Sequence, residues 1–258
     1  MYTIDLSGKH ALVMGVANHR SLAWGIAQTL HQSGATLCLT YQGERLKAMV
    51  EELAKPLGEL VVLECDVTRD DQIDAVAKTL GERWGSVEML VHGVAFARKE
   101  DLENAFVATP REGFQLALEV SAYSLLNVTN RLLQLLEKRG ASVLSLTYLA
   151  AERAVPSYNV MGSAKAVLEQ STRQLAYELG PRNIRVNAIS AGPVSTLAAR
   201  GIHGFTDMLK KHADKAPLKR NITKEEVGKA GLFLLSDLGS GVTGEVLMVD
   251  AGYSVMAW

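Results

Sequence analysis

The chain has 258 residues, 48% of them hydrophobic and 21% charged, with a formal net charge of −1 at pH 7. This composition supplies ample material for one large α/β core and excludes a disordered chain. With charge near balance there is no chain-wide electrostatic basis for binding nucleic acid or an acidic membrane.

In chain order, the N-terminus Met1-Tyr-Thr-Ile-Asp-Leu-Ser-Gly-Lys9 lacks the long apolar segment of a secretory signal, and no run approaches the length of a membrane span. A cytoplasmic protein is expected. Short β-rich runs then recur at Ala11–Met14, Thr36–Thr40, Leu60–Leu63, Met89–Val91, Ser142–Thr147, Arg185–Ser190 and Val246–Val249. Between them, helical spacing marks Ser21–Gln32, Glu44–Ala54, Asp70–Trp84, Arg111–Lys138, Ser157–Leu179 and Thr223–Leu235. Strands too apolar to have a wet face, alternating with helices, predict a Rossmann-like, doubly wound parallel sheet of about seven strands with helices on both faces. No linker or charged tract interrupts the alternation, so residues 1–258 are expected to form a single domain. Cys38 and Cys65 sit singly in apolar runs without CxxC spacing and read as reduced core residues. The six histidines show no metal-ligand spacing, and no metal site is expected.

In such a sheet, ligands bind outside the carboxyl ends of the strands. After the first strand comes Gly15-Val-Ala-Asn-His-Arg-Ser21-Leu22-Ala-Trp-Gly25, sparse in glycine against G-x-G-x-x-G. Gly15 allows a tight strand exit, Ser21 offers a hydroxyl and an amide at a helix start, and Gly25 lets that helix approach the sheet or a pyrophosphate. A tight strand-to-helix turn without a ligand has a similar pattern. The second strand ends at Tyr41-Gln42-Gly-Glu-Arg45, where a dinucleotide fold usually places an acidic residue for the ribose. Gln42 can bond a ribose diol, and only Arg45 nearby can neutralise a 2′-phosphate, so NADH is expected over NADPH. Asp66 and Val67, after the third strand, suit an adenine, although a helix cap explains Asp66 equally well.

Farther on, Tyr148-x9-Tyr158-x6-Lys165 brings two tyrosines and a lysine to a strand-to-helix junction. Seven helical steps place Tyr158 and Lys165 on one face, about 10 Å apart along the axis. A phenol beside a fixed cation is a proton donor suited to reducing something polarised by oxygen. On this segment alone, an ordinary amphipathic helix with a half-buried tyrosine fits as well.

Taken together, Gly15-x5-Ser21-Leu22-Ala-x-Gly25, Tyr41-Gln42, His92-Gly-Val-Ala-Phe-Ala97, the Tyr148/Tyr158/Lys165 set and Ser190-Ala-Gly-Pro-Val-Ser-Thr196-Leu-Ala resemble the short-chain dehydrogenase/reductase superfamily. Within it they resemble the bacterial NADH-dependent enoyl-acyl carrier protein reductases of type II fatty acid synthesis, over nearly the whole chain. General members carry Tyr-x3-Lys, which requires lysine at 162, where this chain has Gly162. The x6 spacing moves the phenol one turn farther from the lysine and favours reduction of C=C over C=O. A carbonyl reductase of the same fold, with Ser145 as a further catalytic hydroxyl, and a non-catalytic nucleotide sensor are the competing readings.

The resemblance implies that Tyr158 hydrogen-bonds the thioester carbonyl, Lys165 holds the nicotinamide ribose and Tyr148 lines the acyl site. It implies cofactor contacts at Val94 and along Val194, Ser195, Thr196, Leu197 and Ala198, substrate contacts at Ala97 and Met161, and a lid over Leu197 to Leu209. Two positions depart from the family pattern: Gly93 replaces a common serine and Ser195 a basic residue. In the lid, Gly201 and Gly204 read as hinges, with Ile202, Phe205, Met208 and Leu209 as apolar contacts, or alternatively as core of a short helix. The cations Lys210, Lys211, His212, Lys215, Lys219 and Arg220 follow, a patch suited to an acidic carrier protein or simply a solvated face. The apolar C-terminus Val246 to Trp258 is expected to be covered by another subunit of a homotetramer, or by docking under the chain's own sheet.

Overall fold

Each apolar run becomes a strand: β1 (His10–Met14), β2 (Thr36–Tyr41), β3 (Val61–Glu64), β4 (Met89–His92), β5 (Ala141–Thr147), β6 (Ile184–Ala191) and β7 (Val246–Val249). The computed structural model describes residues 4–58, 60–196 and 204–257. The seven strands form one sheet in the order β3-β2-β1-β4-β5-β6-β7, and every neighbouring pair is parallel. The order reverses between β1 and β4, which opens a crevice outside their carboxyl ends.

Alternate side chains of each strand serve opposite faces. Ala11 and Val13 of β1 join one core with α1 (Leu22–Gln32), α2 (Glu44–Ala54) and a late helix over Lys224–Leu235. Leu12 and Met14 join the other core with α3 (Asp70–Trp84), the segment after α5 (Arg111–Leu118), and α8 (Asn159–Leu179). A short α4 (Lys99–Glu103) precedes α5, and α6 (Ser124–Arg131) and α7 (Leu133–Leu136) follow it. After β6 come α9 (Phe205–Lys215) and α10, the Lys224–Leu235 helix. At its start, α10 carries a capping box in which Thr223 Oγ1 accepts from Glu226 N and Glu226 Oε2 accepts from Thr223 N.

Two expected helices differ from their sequence pattern. The segment 111–138 is interrupted by a π turn over Glu119–Tyr123. Val120, Ser121 and Ala122 within it are buried, and such turns are frequent at functional sites. The helix expected from Ser157 begins at Asn159, because Ser157 and Asn159 have φ of +59° and +36°. Among the described residues, no helix is long and apolar enough to cross a membrane.

Candidate active site

At the exit of β1, Gly15 has φ +88°, and a Cβ there would lie 2.0 Å from the carbonyl oxygen of Gly93. Only glycine lets the exits of β1 and β4 pass this closely. Gly93 is also confined, though less tightly, since its Cβ would lie 2.8 Å from Met14 O and 3.0 Å from Ala23 Cβ. Ser21 Oγ accepts from the amides of Ala17 (3.0 Å) and Asn18 (3.1 Å), closing the loop ahead of α1. Leu22 and Ala23 open that helix, their amides precede its first internal bonds, which run from Trp24 and Gly25 to Ser21 O, and the helix dipole favours an anion there. Gly25 has a different role from the one its motif suggests. A Cβ there would lie 2.5 Å from Lys224 O, so its missing side chain serves the packing of α1 on α10 rather than approach to the sheet or a pyrophosphate.

The crevice opens into a cavity of about 870 Å³, walled at one end by Gln42 and Val67 and at the other by Tyr148, Met161 and Met208. Gln42 Nε2 donates to Asp66 Oδ2 at 3.0 Å, and Thr68 donates to Asp66 Oδ1 through both its amide and its hydroxyl. Burial raises the Asp66 carboxyl, but these hydrogen bonds outweigh it and hold the group below its ordinary range. Asp66 thus stands behind Gln42 and Val67 and is not itself part of the cavity wall.

Tyr148, Tyr158 and Lys165 all line this cavity. The two tyrosine rings meet edge to face, centroids 5.0 Å apart at 61°. Burial pushes the Tyr148 phenol up to about 12, with Tyr253 adding to the shift. Burial also raises Tyr158, with Tyr148 adding, so both phenols keep their protons at neutral pH. Lys165 is 5% exposed and donates from Nζ to Leu146 O at 2.7 Å. Burial lowers it to about 8, opposed by Glu169 one turn on. Helical periodicity does not orient Tyr158, which precedes the helix between the two positive-φ residues. Its ring is held instead by packing against the buried cluster of Ala117, Val160 and Met161. Asn159 fixes the junction, donating from Nδ2 to Leu102 O and Asn104 O.

Gly15, Ser21, Leu22, Val94, Ala97, Val194 and Thr196 line the same cavity, whereas Ser195 is not among its wall residues. Leu197 and Ala198, with the rest of the expected lid up to His203, lie outside the described residues. Of the lid residues that are described, Phe205 and Met208 line the cavity from α9, and Tyr148 Oη lies 3.6 Å from Met208 Sδ.

Sequence reasoning missed the π turn, which joins this site to the end of β4. Ser121 Oγ accepts from Phe96 N at 3.0 Å, and Ser124 Oγ lies 2.8 Å from His92 Nε2 while donating to Val120 O. His92 therefore carries its proton on Nε2, and burial, with Lys165 adding, lowers it to about 3. The only sequence sign was the buried-type run Val120-Ser-Ala-Tyr-Ser124 within an otherwise helical pattern.

Three features are narrower in the structure than in the sequence pattern. Ser145 is fully buried, bonded to Thr172 Oγ1 at 3.2 Å and absent from the cavity wall, so it is no third catalytic hydroxyl. The expected basic patch is smaller than its sequence, because His212 is buried and Arg220 pairs bidentately with Glu226. The C-terminus is held in part by the chain itself, with Arg153 donating to Ser254 O and Met256 O, while Val255 is 79% exposed.

The sequence model of the family described as enoyl-(acyl carrier protein) reductase matches residues 15–254. An NADH enoyl-[acyl-carrier-protein] reductase of Nostoc sp. is 48% identical, covering 98% of this chain and 99% of its own length. The Bacillus cereus relative of the same name is 49% identical, covering 97% and 98%. Among solved structures, the Bacillus cereus enoyl-acyl carrier protein reductase with NADP+ and an indole naphthyridinone aligns at a TM-score of 0.96 and 48% identity, covering all of both chains. An Anaplasma phagocytophilum enoyl-acyl carrier protein reductase in complex with NAD aligns at 0.95 and 44%, covering 100% of this chain and 98% of that one. With a doubly wound sheet, a phosphate-type turn at its switch point and a Tyr-x6-Lys pair in one cavity, this chain belongs to the enoyl-acyl carrier protein reductase family.

Proposed function

We propose that this chain reduces the C2=C3 double bond of trans-2-enoyl thioesters, carried on acyl carrier protein, with NADH as the hydride donor in fatty acid elongation. The observation that carries this reading is a protonated Tyr158 sharing one cavity with the buried Lys165. The residues present fit the cofactor: the Gly15–Gly93 approach clears backbone space, the α1 N-terminus suits a pyrophosphate, and Gln42 backed by Asp66 suits a ribose. Bound NADH supplies the hydride to the β-carbon. Tyr158 donates a hydrogen bond to the thioester carbonyl as charge develops on its oxygen, an effect worth roughly 3 to 4 kcal/mol per donor in a dry site. Lys165 holds the ribose hydroxyls and keeps the local field positive. Tyr148 and Met161 exclude water and orient the acyl chain.

A carbonyl reductase needs its phenol to protonate the oxygen of the carbon that receives hydride. Burial of Ser145 and the closed position at Gly162 speak against that chemistry. The direct test is NADH oxidation by the purified protein with crotonyl thioester and with a 3-oxoacyl thioester. Turnover of the first alone is expected, and turnover of the second alone would overturn the reading.

We infer further that the chain acts in the cytoplasm as one catalytic domain with a lid over residues 197–209, consistent with the two free cysteines. Exposed Lys210, Lys211 and Lys215 on α9 favour an acidic carrier protein at the portal. Homotetramer formation is supported by apolar side chains that a monomer leaves in water, among them Tyr177 at 81% and Val255 at 79% exposure.

A further inference from the structure

His212 lies in the last turn of α9, in a run of lysines, yet only 4% of it is exposed. Its ring stacks on Tyr253, centroids 4.4 Å apart at 19°. It also meets the backbone at Gly192, where a Cβ would lie 3.1 Å from Nε2 and 3.2 Å from Cε1. Gly192 is part of the cavity wall, and Phe205 and Met208, on the same helix as His212, line the cavity too. The imidazole is therefore wedged between the C-terminal turn and the wall of the active site, at the far end of the helix that covers the acyl end.

The groups facing it leave a second ring proton without a ready acceptor. Neither ring nitrogen has a hydrogen bond of standard geometry within the described residues, and Asn221 is the side chain placed to bond the ring. The Asp250 carboxylate, at the end of β7, is already bonded by the amides of Gly252 (2.9 Å) and Ser254 (2.7 Å). Asn221, ahead of α10, donates to Leu209 O and offers one buried carbonyl oxygen, enough for the single proton of a neutral ring. Tyr253 presents only its ring face. On α9 itself, Lys211 and Lys215 disfavour a further positive charge, while the C-terminal end of the helix dipole favours it.

We propose that His212 is a positioning residue for substrate binding: its neutral ring docks α9, and with it Phe205 and Met208, on the Gly192 wall, and protonation in acid releases that docking. Burial lowers the imidazole from its ordinary value, with Asn221 and Asp250 opposing. For a group whose folded value is depressed, docking is complete above the unfolded value of about 6.5 and is lost as pH falls through the folded one.

This inference rests on the enoyl reductase reading. The experiment measures KM and kcat for an enoyl thioester at saturating NADH from pH 8 to 5.5, in the wild type, His212→Ala and His212→Phe. Hydrogen-exchange protection of the α9 amides, referenced to α10, is followed in parallel. In the wild type, KM is expected to rise as pH falls below about 6.5, by up to about tenfold at pH 5.5, with kcat changing less than twofold. His212→Ala should show the raised KM already at pH 8, whereas His212→Phe, which keeps the stacked ring but cannot titrate, should restore a low KM and abolish the acid rise. Protection of α9 should fall by up to about tenfold at pH 5.5 in the wild type and stay level in His212→Phe. A flat wild-type KM, or the same acid rise in His212→Phe, overturns the docking role while leaving the reaction intact. A wild type without enoyl-dependent turnover defeats the reaction reading instead, and the exchange data then decide the docking role alone.

Discussion

Gly162 of α8 presses against the backbone of Ala150, where a Cβ at position 162 would lie 2.9 Å from the Ala150 carbonyl oxygen. That is the position at which a Tyr-x3-Lys motif would carry its lysine, so packing here closes the shorter spacing and leaves Lys165 to supply the cation. Gly162→Ala is expected to cost about 1–3 kcal/mol by overpacking. A thermal melt checks this, and an unchanged Tm would mean that the 149–151 turn yields freely.

Tyr158→Phe removes the phenolic proton and keeps the ring that packs on Tyr148. Turnover of enoyl thioester should fall at least about tenfold, with NADH affinity nearly unchanged, because the phenol meets only charge that develops during reaction. Steady-state kinetics with a cofactor titration make the comparison, and full turnover by the variant would remove Tyr158 from its role.

Lys165 illustrates a function held against stability. Its folded value of about 8 lies below the ordinary 10.5, so at pH 7, below both, the whole cost of burying the charge is present. Lys165→Met should raise Tm at pH 7, with an upper bound on the order of 3 kcal/mol from the shift, reduced by about 1 kcal/mol for the lost bond to Leu146 O. The advantage should shrink as pH rises from about 8 towards 10.5. NADH dissociation constants should rise at least about tenfold in the variant, and in the wild type should rise above about pH 8. A variant with intact cofactor affinity would contradict the assignment.

Gln42 hydrogen-bonded to Asp66 presents an amide backed by an anion, which disfavours a 2′-phosphate. kcat/KM for NADH should exceed that for NADPH by about tenfold or more, an energy of about 1.4 kcal/mol. Measuring both cofactors with one enoyl thioester decides it, and a preference for NADPH would assign the phosphate to Arg45 or a more distant cation.

Light scattering at micromolar concentration tests the assembly. A mass near four times the 27.9 kDa of one chain is expected. A monomer mass would leave Tyr177 and Val255 exposed to water and defeat the proposal.

What the amino-acid sequence alone determined was local: the seven strands, most of the helices, the tight turn at Gly15 and the pairing of a tyrosine with Lys165 follow from periodicity, turn chemistry and motif spacing. These are legible because a strand or helix face reveals, within a few residues, which side chains avoid water. Tertiary packing decided the rest. It turned Gly25 towards α10, drew Ser121 and Ser124 to the end of β4 through a π turn, and buried Ser145 away from the cavity. It also oriented Tyr158 between two positive-φ residues, where helical periodicity does not reach, and took His212 out of a run of lysines to seat it on Tyr253. Each of these depends on contacts between segments far apart in the chain, and such contacts leave no spacing for a sequence pattern to carry.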